Sequence, residues 1–213
     1  RQMCIRDRYI TLALAINLFY FKEKITSKNS LVLLLTNLTT FSTTGYVATA
    51  TLYVGYIFFS NIKRSNKIIF SIILFAVVYY VGQLDFMTEK IAEQSADDST
   101  WSRFGAIAYH WNQITQSPFI GFGPFLSNIF GDELLSSPNG LTDLMRYYGI
   151  PLSIVFYYLL YRGTKVYVGN SHKGANVCVF VSLLLLCFSQ TITYSPFFMV
   201  LYFFAFNTCT YDK

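Results

Sequence analysis

The sequence predicts an all-α fold: a polytopic integral membrane helix bundle of about seven spans, with one large extracytoplasmic loop carrying short helices. Three observations lead there. The 213 residues are 54% hydrophobic and 19% aromatic, mean hydropathy is +0.41, and only 13% are charged, where a soluble domain carries about 25%. Long apolar runs alternate with short basic turns. Eight of the eleven acids (Asp85, Glu89, Glu93, Asp97, Asp98, Asp132, Glu133 and Asp143) fall within residues 85–143, beside only two cations, Lys90 and Arg103. Basic turns are retained in the cytoplasm, so this charge pattern reads as a topology map with the acidic segment outside.

The elements follow in order. Residues 1–8, Arg1-Gln2-Met3-Cys4-Ile5-Arg6-Asp7-Arg8, resemble translated sequencing-adapter read-through. They are read as a non-native leader from which no function is taken, and the remainder as the C-terminal part of a longer protein. A spanning helix needs about 20 apolar residues, so the run at 9–21 is short. Lys22, Lys24 and Lys28 form a first basic turn and Lys63, Arg64 and Lys67 a second. If both turns share one side, residues 31–60 make two crossings joined at Ser42-Thr43-Thr44-Gly45. A polar hairpin tip at membrane depth is tolerated only beside protein or a wet cavity, so Ser42 and Thr44 are expected to line one. Residues 68–84 complete about four spans in 9–84. After the loop at 85–143, about three spans in 144–213 cover residues 144–161, 177–192 and 196–208. The third basic turn, Arg162, Lys165, His172 and Lys173, lies between the first two of them.

The loop carries most of the polar chemistry. Residues 102–116 have helical character, with Phe104, Ile107, Ala108, Trp111 and Ile114 as an apolar side suited to an interface. Arg103 and His110 lie seven apart on one face. The run Ser117-Pro118-Phe119-Ile120-Gly121-Phe122-Gly123 forces turns. Asn139, Asp143 and Arg146 follow i, i+4, i+7 spacing and share the face of the next helix. Cys4, Cys178, Cys187 and Cys209 show no metal-ligand spacing and read as small apolar residues. No metal or cofactor is expected. The net charge of +5 does not indicate nucleic acid, because the cations cluster beside apolar runs, where they anchor topology and meet anionic headgroups.

Three pieces stand in order along the chain. The first is Leu38-Thr39-Thr40-Phe41-Ser42-Thr43-Thr44-Gly45-Tyr46. The second is Arg103, then Trp111, then the 117–123 run. The third is Asn139-Gly140-Leu141 followed by Tyr148-Gly149-Ile150. Together they resemble the O-antigen ligase/polymerase superfamily, and the resemblance covers nearly all the chain after Arg8. It implies a multi-pass protein of the bacterial cytoplasmic (inner) membrane that polymerises undecaprenyl-diphosphate-linked repeat units into O-antigen, capsule or exopolysaccharide. Its partners would be the lipid-linked oligosaccharide, membrane lipids and a chain-length regulator. Two departures stand out. The family often has Ser-Arg-Gly where this chain has Thr44 before Gly45. Ligases carry a His where this chain has Pro138. Both favour a Wzy-type polymerase over a ligase moving glycan onto a lipid or protein acceptor. A non-enzymatic flippase is a further alternative, which would place ionisable residues within its spans; a structural membrane subunit is a third, and it would leave Arg103 replaceable.

The implied chemistry is metal-independent, inverting glycosyl transfer with a diphosphate leaving group. Arg103 and Arg146 offer guanidinium forks matched to phosphate oxygens, and stabilising that developing charge is the largest expected catalytic effect. Asp143 or Asp132 would take the acceptor hydroxyl's proton. Trp111, with Trp101 and Tyr109, would stack on sugar faces, and His110, Asn139, Ser42, Thr44, Gly121 and Gly123 would line the substrate site. A structural role stands beside each: Arg103 pairs with Asp97 or Asp98, Asp143 pairs with Arg146, Asn139 caps a helix, and Gly121 and Gly123 form turns.

Overall fold

Where the sequence has a capping residue, a helix begins. The computed structural model describes residues 3–40, 42–59, 64–83, 103–123, 139–169, 174–189 and 195–206. Among them it has helices and turns and no strand. Helix α1, Met3–Ala15, runs on into a π-helical turn, Ile16–Tyr20. Helix α2, Lys28–Leu38, starts at Ser27, whose hydroxyl accepts from the Ser30 amide at 3.3 Å. Helix α3, Thr43–Phe59, starts after Ser42, whose hydroxyl accepts from the Gly45 amide at 3.3 Å. Such caps satisfy amides that the first turn leaves open. Helices α4, Arg64–Gly82, and α5, Arg103–Gln116, follow. Helix α6, Gly140–Val168, is capped by Asn139 and stops at Gly169, which takes a positive φ of 65°. Helices α7, Ala175–Ser189, and α8, Pro196–Phe204, complete the chain, α8 with its proline in the first turn, where no amide is needed.

The core joins α1, α3, α6, α7 and α8. Leu14, Leu18 and Phe19 meet Leu52 and Tyr56 of α3, Leu160 of α6, Leu183 and Leu186 of α7, and Leu201 of α8 in one buried cluster. Small residues allow the closest approaches. Gly55 of α3 lies on Cys178 of α7, and Gly163 of α6 lies on the Leu201 carbonyl of α8. Ser182 of α7 donates to the Ala48 carbonyl of α3 at 2.9 Å.

The all-helical expectation holds, but the seven-span bundle does not. Among the described residues no helix is long and apolar enough to cross a membrane. The apolar runs are real, but the helices cut them short or load them with charge. Helix α2 has 11 residues, α7 has 15 and α8 has 9. Helix α4 opens on Arg64 and Lys67. Helix α6 is 29 residues long, but it contains Asp143, Arg146, Arg162 and Lys165 and breaks at Gly149. A multi-pass placement in the bacterial cytoplasmic membrane falls with the spans; residues 84–102 and 124–138 of the acidic loop lie outside the described residues. Many large apolar side chains nonetheless stay exposed, among them Ile68, Ile72, Phe75 and Tyr79 along α4.

The break in α6 shapes the region that holds the polar cluster. Gly149 adopts φ 78°, ψ 168°, outside the helical range. Pro151 has no amide to bond the Tyr147 carbonyl four residues back. The Ile150 amide turns away from the helix and donates to the Pro118 carbonyl at 2.8 Å, while the Arg146 carbonyl accepts from the Phe122 amide at 3.0 Å. The 117–123 turn thus supplies the hydrogen bonds that the broken helix lacks. The bend is sharp: the Tyr157 hydroxyl donates to the Leu141 carbonyl at 2.7 Å, although sixteen residues of straight helix would separate them by about 24 Å.

Candidate functional site

Two of the three motifs meet at that break. The second contributes α5 and the 117–123 turn; the third contributes the first limb of α6. Gly121, at φ 72°, lies so close to the α6 backbone that an added Cβ would sit 2.5 Å from the Tyr147 carbonyl oxygen and 2.6 Å from the Gly149 nitrogen. Gly149 in turn faces the Phe119 carbonyl. Both glycines are needed twice over, for their backbone angles and for the contact.

Beneath this joint lies a buried polar cluster. Asn139 caps α6, its Oδ1 accepting from the Leu141 amide at 3.1 Å and the Thr142 amide at 3.4 Å. One turn on, Arg146 Nη2 donates to Asp143 Oδ1 at 2.5 Å. From α5, Gln113 Oε1 accepts from Arg146 Nη1 at 3.4 Å, and His110 Nδ1 is 2.7 Å from Thr142 Oγ1. The Arg146 guanidinium also lies 5.5 Å from the Tyr147 ring centroid, within cation–π range. Arg146 is only 1% exposed.

Burial sets the protonation states. It lifts the Asp143 carboxyl to about 6, and the neighbouring Arg146 charge draws it back only in part. Burial, helped by the Arg146 charge, pushes the His110 imidazole down to about 3. Near neutral pH the cluster therefore holds one cation, one carboxylate and a neutral imidazole.

The structure unites Asn139, Asp143, Arg146, His110 and Gly121 from the sequence reading. It gives Asn139 and Asp143 the structural roles expected of them, as helix cap and as partner of Arg146. Trp111, on the same helix as His110, is 56% exposed and outside the cluster. Gly123, at φ 56°, has nothing within 4 Å of an added Cβ. Arg103 opens α5, but its side chain and Asp132 lie outside the described residues.

Ser42 belongs to a second buried centre, between α1, α2 and α3, and Thr44, in the first turn of α3, is buried as well. The Ser42 hydroxyl donates to Asp7 Oδ2. Asn37 Nδ2 donates to Thr49 Oγ1 and, at 3.5 Å, to Thr11 Oγ1. Gly45 has no side chain because Asp7 Cβ and Asn37 Oδ1 would lie 3.0 and 3.2 Å from its Cβ. Arg8 Nε lies 3.9 Å from Asp7 Oδ1, and both residues are buried. The last two residues of the expected leader are thus packed into the helical core. A cleft of about 450 Å³ opens elsewhere, lined by Ile16, Asn17, Asn29 and Val32 among others.

Sequence reading missed Gln113 and Thr142. Gln113 had a findable signal: it follows His110 by three positions and so shares its face of α5. Comparison with models of protein families, with curated proteins and with solved structures finds no match.

Proposed function

We propose that this chain is part of a Wzy-type polysaccharide polymerase, in which Arg146 binds the diphosphate of an undecaprenyl-diphosphate-linked glycan. The observation that carries this reading is the buried Arg146–Asp143 pair, held by Gln113 where the two superfamily-like motifs meet. An acceptor hydroxyl attacks the anomeric carbon, the carbon–oxygen bond to the diphosphate breaks, and the lipid diphosphate leaves with the electron pair. Arg146 stabilises that charge in a site shielded from water, where such stabilisation is largest.

The buried pair supports a division of the carboxylate roles. In an inverting displacement the base and the leaving group lie on opposite sides of the carbon. Asp143 is bonded directly to Arg146, on the leaving-group side, so it positions the guanidinium and balances its charge. The base role passes to Asp132. His110, neutral at pH 7, fixes Thr142 and the first turn of α6. Because Arg146 is covered, the diphosphate reaches it only as that cover parts.

The test is glycan transfer by the purified protein, supplied with an undecaprenyl-diphosphate-linked repeat unit and read as a ladder on a gel. Wild type should give a ladder. Arg146→Ala should stop at single units, and Arg146→Lys, which lacks the fork, should lose about a hundredfold in rate. An unchanged ladder from Arg146→Ala removes Arg146 from the reaction. No ladder from wild type, or product joined to an added lipid or protein acceptor instead, overturns the polymerase reading.

A further inference from the structure

The cluster contains a donor that the proposed reaction leaves unused, the side-chain nitrogen of Gln113. Gln113 is 2% exposed. Its oxygen faces Arg146 Nη1, and arginine offers donors and no acceptor, so the amide cannot be turned round. The amide is planar, so this one contact also fixes where Nε2 points. Nε2 is buried and has no hydrogen-bond partner among the described residues. A buried donor without an acceptor loses its bonds to water and gains nothing in return, and folded proteins rarely leave one so. If Gln113 served packing alone, a methionine of similar length would fill the space without that cost.

Nε2 carries two hydrogens and needs an oxygen lone pair. The positive guanidinium at the other end of the same amide favours an oxygen that is itself anionic. We infer that Gln113 is a substrate-binding residue whose Nε2 donates to an oxygen of a phosphate or diphosphate held by Arg146. This rests on the reading of Arg146 given above. A neutral amide adds a directed hydrogen bond without adding charge, so it orients the anion on the guanidinium fork rather than merely attracting it.

The experiment uses the full chain labelled with 15N-glutamine, titrated separately with inorganic pyrophosphate and orthophosphate. The Gln113 side-chain NH2 signals are assigned by their loss in Gln113→Met. With pyrophosphate they should move and saturate, and Gln113→Met should bind pyrophosphate about tenfold more weakly, the loss of one hydrogen bond to a charged group. Movement with pyrophosphate alone identifies a diphosphate ligand; movement with both identifies phosphate in general. If Gln113→Met does not fold, Gln113→Glu keeps an oxygen for Arg146 and should lose pyrophosphate binding by repulsion. Signals that stay still at saturating pyrophosphate, or a wild type that binds no pyrophosphate, overturn the inference. Moving signals without a glycan ladder would retain this anion site and sink the polymerase reading; a ladder with still signals would do the reverse.

Discussion

Asp143 and His110 titrate in opposite senses, and their opposition is testable. The Asp143 carboxyl sits at about 6 in the folded chain against an ordinary 3.8. Its share of stability is whole below the ordinary value and is lost as pH rises through 6. The His110 imidazole sits at about 3 against an ordinary 6.5. Its share is whole above the ordinary value and is lost as pH falls toward 3. Each slope is at most about 1.4 kcal/mol per pH unit, and between about pH 4 and 6 they cancel. Urea denaturation across that window should find His110→Gln losing stability as pH rises and Asp143→Asn gaining it, each relative to wild type. Slopes of one sign in both variants would contradict the opposed titrations. Asn139, Asp143 and Arg146 were legible because i, i+4, i+7 spacing is a local property of one helix. Gln113 and Thr142 were missed: the face that Gln113 shares with His110 is visible in the sequence, but what distinguishes each is a contact between α5 and α6.

At the scale of the element, the break in α6 is a helix interrupted and then repaired by a neighbour. The sequence reading took 144–161 as one unbroken run although it holds Gly149 and Pro151, and expected turns at the 117–123 run. That the two would dock was not legible, since it depends on which carbonyls the proline frees and which amides the turn presents. The glycines separate the contributions. Gly149→Ala imposes left-handed strain of about 1–2 kcal/mol and drives a Cβ into the Phe119 carbonyl. Gly123→Ala imposes similar strain but meets nothing within 4 Å. Gly149→Ala should therefore lower stability by at least about 1 kcal/mol more than Gly123→Ala, read as the difference in denaturation midpoints at equal slope. Equal losses would mean that the turn does not brace the helix.

Across the whole molecule, the sequence reading took apolar length for spanning length. Composition and run length do indicate helices, and helices formed at nearly every apolar run. What a run cannot reveal is where caps, π turns and buried charges end or divide it, and those set the helix lengths seen here. The fold instead depends on close helix pairs, among them Gly55 on α3 against Cys178 on α7, where an added Cβ would fall 2.5 Å from the Cys178 Cβ. Backbones held that near admit no new atom on either side without parting, and parting would stretch the Ser182 bond to the Ala48 carbonyl. Gly55→Ala should cost about 1–3 kcal/mol, in the range of other overpacked cores, despite alanine's better helix propensity. Cys178→Gly alone should cost about 0.3 kcal/mol through propensity, plus the lost packing of its side chain. Together they should cost less than their sum, because the removed Cβ makes room for the added one. A double-mutant cycle in urea should find a favourable coupling of about 1 kcal/mol or more, whereas distant sites add to within about 0.5 kcal/mol. Simple additivity would mean that α3 and α7 do not lie this close in solution, and the core would then need a different arrangement.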